Sequence, residues 1–225
     1  MEQTRLPVRL KDPMPITFLT TGPDAPEASL LLAHGAGAPM DSAFMNQIAE
    51  LLAERSIRVI RFEFTYMVSR RETGKRRPAP KAELLMDAYR AAVMEGFAGI
   101  TGRRAIGGKS MGGRVASLVA DELHDAGDIY GLVCLGYPFH PPGTPEQLRT
   151  KHLEAMRCPA LIIQGERDPF GSKAEVEGYK LAKPIAVTWM DDGDHDFGPR
   201  GASGFTRKGN LAAAADGVAA FLCRL

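Results

Sequence analysis

Short apolar runs alternate with longer segments of helical periodicity along most of the chain, and this alternation restricts the fold more than any other feature. Residues 29–33 read SLLLA, residues 131–136 read GLVCLG and residues 160–164 read ALIIQ. Continuous apolar runs of this length are typical of strands that are buried on both faces. Because helical patterns separate them, the sequence predicts an α/β fold with a mostly parallel sheet of about six or seven strands and helices on both faces.

The remaining elements complete this pattern. Strands are also predicted at 16–19, 58–64, 104–107 and 185–190, and helices at 42–55, 81–95, 115–124, 174–181 and 211–222. The stretch Thr144-Pro-Glu-Gln147 has the form of a capping box, which predicts one more helix start. No repeat or shift of composition divides the 225 residues, so we expect a single domain over residues 1–225. Parallel strands present their carboxyl ends at one edge of the sheet, where ligands bind, so the loops at that edge are the candidate site.

The composition excludes several classes of function. The formal net charge is +1, from 28 basic and 27 acidic residues, which provides no general attraction to nucleic acid or to an anionic membrane. The three cysteines, Cys134, Cys158 and Cys223, fit no zinc-binding spacing, and no apolar stretch is long enough to span a membrane. We therefore predict a cytoplasmic protein that uses no cofactor and no metal; the sequence does not indicate its oligomeric state.

A glycine-rich turn between a predicted strand and a predicted helix carries the most specific motif. Gly108-Lys109-Ser110-Met111-Gly112 fits G-x-S-x-G, in which a serine stands on a sharp turn at the sheet edge. The residues two before and two after the serine must be small, because larger side chains would collide across the turn. We predict Ser110 as the nucleophile of a hydrolase, against the simpler reading of an incidental serine in a plain glycine-rich turn.

The same segment contains Gly-Lys-Ser, which also occurs in phosphate-binding loops. That loop requires a glycine five residues before the one that precedes the lysine, and the spacing here places Arg103 at that position. The intervening residues also belong to the predicted strand. Binding of ATP or GTP at this turn is therefore not expected.

A serine hydroxyl requires a general base, and the base requires an orienting carboxylate. In proteins that carry a G-x-S-x-G turn of this kind the chain order is serine, acid, histidine. Asp168 directly follows the strand at 160–164, and His195 lies in the loop after the strand at 185–190. We predict Asp168 as the acid and His195 as the base, both at the same edge as Ser110.

An acyl transfer also needs backbone N–H groups that stabilise the oxyanion. The N–H of Met111, directly after the nucleophile, is the first candidate. The second lies in His34-Gly35-Ala36-Gly37-Ala38, which follows the strand at 29–33; we assign Ala36, with Gly37 as the alternative. The Gly-Ala-Gly in this loop is not a dinucleotide fingerprint, because Met40 occupies the position of its third glycine.

A basic segment, residues 69–81, follows the strand at 58–64 and is predicted as a loop. It carries six basic residues against one acidic residue, Glu72. One interpretation is an arm in which Arg76 and Arg77 bind an anionic group of the substrate. The other is a solvated loop without a role in binding.

Together, HGAGA, GGKSMGG, GERDPFG and DGDHDF resemble the α/β-hydrolase superfamily over nearly the whole chain. The resemblance is closest to a small, dienelactone-hydrolase-like branch of predicted bacterial hydrolases, which is similar to the hydrolase-like domains of certain eukaryotic testis-expressed and chromatin-complex proteins. It implies an α/β-hydrolase fold with Ser110, Asp168 and His195 as the triad. Dienelactone hydrolases use cysteine where this chain has Ser110, so the resemblance does not extend to their substrate.

The expected function is hydrolysis of an ester, thioester or related acyl bond of a small molecule through an acyl-enzyme on Ser110. Carboxylesterase, thioesterase and peptidase activities remain open. Only 21 residues, 137–157, separate the strands at 131–136 and 160–164, too few for a large helical lid, so we expect an open pocket. The alternative is a binding or scaffold module that keeps the fold without catalysis.

Overall fold

A computed structural model describes residues 16–75 and 78–225 and contains one seven-stranded sheet. The strand order is β1-β3-β2-β4-β5-β6-β7, in which β1 runs antiparallel to β3 and all other neighbours are parallel. The strands are β1 Phe18–Thr21, β2 Ala28–Ala33, β3 Ile57–Phe62, β4 Arg103–Lys109, β5 Gly131–Leu135, β6 Ala160–Gly165 and β7 Ile185–Met190. The predicted fold class is confirmed.

Helices cover both faces of this sheet. They are α1 Ala43–Ala53, α2 Thr65–Thr73, α3 Met86–Gly96, α4 Met111–Asp125, α5 Lys173–Val176 and α6 Arg207–Leu222, with short 3₁₀ turns at Ala82–Leu85 and Leu153–Ala155. No described helix combines the length and the apolar character needed to cross a membrane.

Strand β2 shows why both faces must be covered. All six of its residues are buried, and successive side chains of a strand point to opposite faces. Leu31 accordingly packs in the apolar layer formed with α3 and α4, whereas Leu30 and Leu32 pack in the layer formed with α1 and α6. Strand β2 therefore requires a continuous apolar run, whereas a strand exposed on one face would alternate apolar and polar residues.

The strand order reverses direction between β2 and β4. From β2 the chain proceeds outward to β3, and it then returns to place β4 on the other side of β2. Ligand sites in open α/β sheets lie at such a switch point, beyond the carboxyl ends of the strands. The register pairs Ala33 with Gly108, so the loop after β2 lies beside the turn that carries Ser110.

Three predicted elements differ from the structure. The first part of the segment predicted as a basic loop forms α2, a helix that extends to Thr73. The capping-box stretch after Thr144 forms only turns, in which the N–H of Gln147 donates to the Thr144 carbonyl at 3.0 Å. The helix predicted at 174–181 is limited to the single turn of α5. Between β5 and β6 the only helical structure is one 3₁₀ turn, so no large lid covers the sheet edge.

Candidate active site

Ser110 occupies the turn between β4 and α4. Its φ is +52° and its ψ is −117°, a conformation that non-glycine residues rarely adopt. A Cβ on Gly108 would lie 2.2 Å from the carbonyl carbon of Gly112, and one on Gly112 would lie 2.5 Å from the carbonyl oxygen of His34. The turn can therefore close only with glycine at both positions, as the motif requires.

The loop after β2 and the first turn of α4 meet at one cavity of about 450 Å³. Ala36, Ser110 and Met111 all line it. The N–H groups of Ala36 and Met111 donate to no other group in the described part of the chain. They are therefore available to an oxygen bound next to Ser110, as an oxyanion hole needs. Gly37, the alternative donor, does not line this cavity.

Three side chains fix the shape of this loop. The N–H of Phe64 donates to His34 Nε2 at 3.2 Å, which leaves the proton on Nδ1, where it is donated to the Gly35 carbonyl at 2.6 Å. Burial lowers the pKa of His34, so the ring remains neutral. The Tyr66 hydroxyl donates to the Ala36 carbonyl at 3.2 Å, and Arg70 Nη1 donates to the Gly37 carbonyl at 2.9 Å. These bonds hold the carbonyl groups of Gly35, Ala36 and Gly37 and involve none of their N–H groups.

Asp168 and His195 form a hydrogen-bonded pair at the same edge of the sheet. His195 Nδ1 donates to Asp168 Oδ2 at 2.7 Å, which leaves Nε2 as the nitrogen able to take up a proton. Asp168 is fully buried, whereas the His195 side chain keeps 22% of its surface exposed. The structure thus brings together the two residues predicted as acid and base.

Two neighbours orient this pair. Gln164, a buried residue at the end of β6, donates from Nε2 to Asp168 Oδ2 at 3.0 Å and to two backbone carbonyls. Phe170 donates its N–H to Asp168 Oδ1 at 2.9 Å, and its ring centroid lies 4.4 Å from that of His195. Phe170 also lines the cavity that contains Ser110, so the histidine ring lies against a wall of that cavity. Sequence reasoning did not single out Gln164. The signal for it was that a polar residue ends the otherwise apolar run ALIIQ.

Lys109, the residue before Ser110, extends under the loop that carries His195. Only 6% of Lys109 is exposed, and its ammonium donates to the His195 carbonyl at 2.8 Å and pairs with Asp196 Oδ1 at 3.2 Å. It also lies 5.2 Å from the ring centroid of Phe44. Burial lowers the pKa of Lys109, while the nearby carboxylates oppose that shift. The lysine of the motif therefore connects the turn that carries Ser110 to the loop that carries His195.

Part of the basic segment makes contacts that the sequence did not predict. Arg70 and Arg71 belong to α2. Arg71 pairs at 2.7 Å with Glu63, which follows β3, and with Asp41, which lies between β2 and α1. Lys81 lines the cavity. Arg76 and Arg77, predicted to bind an anion, lie outside the described residues, so that prediction remains as it was.

The arrangement offers the groups that proton transfer from a serine hydroxyl and stabilisation of an oxyanion require. It provides a partly buried serine on a strained turn that lines the cavity, a histidine oriented by a buried carboxylate, and lining residues, Ala36 and Met111, whose N–H groups donate to no described group. Within residues 16–75 and 78–225, no cluster of three or more His, Cys, Asp or Glu side chains could hold a metal ion.

A parallel sheet with a serine turn after its central strand and an acid–histidine pair after later strands defines the class of α/β hydrolases. The model of an alpha/beta hydrolase domain family matches residues 26–223, and the chain belongs to this family.

Solved structures with the same fold include a dienelactone hydrolase from Anabaena variabilis, with 20% identity and a TM-score of 0.70 over 93% of this chain and 92% of that one. They also include an α/β serine hydrolase without a lid from Xanthomonas campestris, with 20% identity and a TM-score of 0.64 over 92% of this chain and 88% of that one. A serine hydrolase homologue from Coxiella burnetii has 16% identity and a TM-score of 0.63 over 93% and 90%. At these identities the likeness establishes the fold alone.

Proposed function

We propose that this protein is a serine hydrolase that cleaves an ester, thioester or related acyl bond of a small molecule. The observation that carries the proposal is the bonded pair of His195 and buried Asp168, placed beside the cavity in which Ser110 stands on its strained turn. Membership of the alpha/beta hydrolase family supports a hydrolase, and a lidless structural neighbour is itself described as a serine hydrolase. The cavity volume of about 450 Å³ favours a substrate of modest size.

In the first half-reaction His195 Nε2 takes the proton of Ser110 as its oxygen attacks the acyl carbon. The carbonyl oxygen becomes an oxyanion that accepts hydrogen bonds from the N–H groups of Met111 and Ala36. The tetrahedral intermediate then collapses, the bond to the leaving group breaks, and the proton on His195 passes to the leaving atom. Water, deprotonated by His195, attacks the acyl-enzyme in the second half-reaction and regenerates Ser110.

Asp168 remains ionised throughout. It holds the proton of His195 on Nδ1 and stabilises the imidazolium that forms in each half-reaction. No metal or cofactor takes part in this scheme. We place the reaction in the cytoplasm, in line with three cysteines that form no disulfide in the described part of the chain.

The test is labelling by a fluorophosphonate probe, which reacts only with an activated serine, followed by mass spectrometry of the labelled peptide. We expect the wild-type protein to be labelled on Ser110, and Ser110→Ala and His195→Ala to lose the label. Ser117→Ala is the matched control, because Ser117 lies on α4 and contacts a histidine of its own, His152, at 2.8 Å, but is buried. It should retain full labelling.

Labelling of Ser110 that survives Ser117→Ala would justify a screen of short acyl esters and thioesters. A folded wild-type protein that takes no label would overturn the proposal. The noncatalytic binding module would then be the better description of the chain, and a search for its ligand would follow.

A further inference from the structure

Arg149 lines the same cavity as Ser110, and its charge is unusually placed. The residue is half-buried, yet its guanidinium makes no hydrogen bond and no ion pair with any described residue. Most arginines that are this far withdrawn from water are paired, because five N–H donors lose their water partners on burial. Burial lowers the pKa of Arg149, and the neighbouring charge of Arg114 lowers it further. The folded protein therefore keeps Arg149 charged although its partial burial disfavours the charged form.

The backbone of Arg149 is held at both of its polar groups. Its N–H donates to the carbonyl of Phe139 at 2.7 Å, and its carbonyl accepts from the Tyr137 hydroxyl at 3.0 Å. Tyr137 and Phe139 are fully buried and lie in the loop that follows β5. The position of Arg149 at the cavity wall is therefore fixed by the core and does not depend on a free surface loop.

The charges around the cavity do not balance. Among the described residues, three cations, Lys81, Arg114 and Arg149, and one carboxylate, Glu83, line it. Glu83 is already engaged, since its Oε1 accepts from Arg114 Nη2 at 2.5 Å. The only carboxylate among the described lining residues is thus paired with Arg114, and no described carboxylate forms an ion pair with Arg149.

We propose that the cavity binds acyl substrates that carry a carboxylate, and that Arg149 receives this group. The proposal rests on the serine hydrolase function proposed above and defines its substrate class. A guanidinium presents two parallel N–H groups that match the two oxygens of a carboxylate, and their bond strengthens where water is partly excluded. The bound carboxylate supplies the missing negative charge of the cavity, and it orients the acyl bond toward Ser110.

The experiment compares esters that differ only in one charge. For the acyl side the pair is para-nitrophenyl hexanoate and the mono-para-nitrophenyl ester of adipate. For the leaving-group side the pair is para-acetoxybenzoate and its methyl ester. Each ester is measured with the wild type, with Arg149→Met, which removes the charge at similar length, and with Arg149→Lys, which keeps the charge but loses the paired donors.

Arg103→Met is the matched control. Arg103 is exposed at the start of β4, seven residues before Ser110 and hence roughly 20 Å away along the strand, and it makes no ion pair with a described residue. Arg103→Met changes the net charge by the same amount as Arg149→Met, and Arg103 does not line the cavity. Any effect of net charge alone on anionic substrates will appear in this variant.

We expect the wild type to prefer the anionic ester in at least one of the two pairs. Arg149→Met should lower kcat/KM for that ester by about 10- to 100-fold, and for its neutral partner by less than about two-fold. Arg149→Lys should give an intermediate loss, and Arg103→Met should behave as wild type. Equal losses on anionic and neutral esters, or no preference for charge in the wild type, would overturn the proposal.

A binding measurement separates this proposal from the hydrolase function. Calorimetric titration of Ser110→Ala with each of the two anionic esters should show, for at least one of them, binding that the added Arg149→Met substitution weakens by about ten-fold or more. If the wild type hydrolyses no ester but this difference persists, the hydrolase function fails and the anion site stands. If neutral esters are hydrolysed and Arg149→Met changes neither binding nor rate, the anion site fails and the hydrolase function stands.

Discussion

Replacement of Lys109 by methionine tests whether the nucleophile turn supports the base. The substitution preserves the length of the side chain and its packing over Phe44, but it removes the ammonium that donates to the His195 carbonyl. Lys109 does not line the cavity, so the substrate is not expected to contact it. Its influence on catalysis must therefore pass through the position of His195.

The structure allows the magnitude to be worked out. A hydrogen bond from a charged donor contributes about 1.5–3 kcal/mol, and the pair with Asp196 adds at most about 1 kcal/mol, because 59% of that carboxylate side chain is exposed. Relief of the desolvation of the buried ammonium offsets part of this loss. We expect the free energy of unfolding to fall by about 1–2 kcal/mol. Because a small displacement of a reacting group costs up to about 100-fold in rate, kcat should fall by about 10- to 100-fold with KM nearly unchanged.

The assay combines urea denaturation with steady-state hydrolysis of a para-nitrophenyl ester, at a temperature where every variant is folded. Asp196→Asn is the control, since it removes the ion pair but retains the bond from Lys109 to the His195 carbonyl. It should keep kcat within about two-fold of wild type. If Lys109→Met keeps the wild-type kcat, or if Asp196→Asn is equally impaired, the reasoning about support of the base is wrong.

Two further predictions concern residues near the site. Burial lowers the pKa of His152 from 6.5 to about 4, so below pH 6.5 the unfolded chain takes up a proton that the folded one refuses, and stability falls as the pH drops toward 4. His152→Asn should reduce this loss by about 2 kcal/mol between pH 7 and pH 4.5 in urea denaturation; an unchanged pH dependence would contradict the assignment. Tyr66→Phe removes the hydrogen bond to the Ala36 carbonyl and should lower kcat about three- to ten-fold with KM unchanged. Tyr130→Phe, at an exposed position before β5, is its control, and an equal effect of both would exclude a role in the oxyanion loop.

The sequence predicted those parts of the fold that are determined locally. Strand β2 is one unbroken apolar run because both of its faces are buried, and the turn around Ser110 needs glycines because backbone atoms occupy the space of a Cβ. Burial on both faces and lack of space for a Cβ each restrict the residue types, so both can be recognised in the sequence. The pairing of Asp168 with His195 followed from chain order and strand ends, and the structure places the two in contact.

Helix α2 was missed because its residues carry no apolar periodicity. Met67 is its one buried residue, and its stability comes from contacts with a loop some thirty residues earlier, among them those of Tyr66 and Arg70. Contacts at such sequence separation leave no local pattern. The opposite error occurred after Thr144, where capping residues are present but no apolar face follows to hold a helix against the core.

Asp168 and His195, the predicted acid and base, follow the last two strands of the sheet, whereas Ser110, the predicted nucleophile, follows a central strand. Strand β7 pairs only with β6, and all its residues except Met190 are at least partly exposed. A strand at the edge of a sheet opens more readily than a central strand. Release of β7 would carry His195 away while the turn around Ser110 stayed closed by its glycines. Under the proposed mechanism the opened molecule would hold Ser110 without its base, so hydrolysis would stop reversibly before the core unfolds.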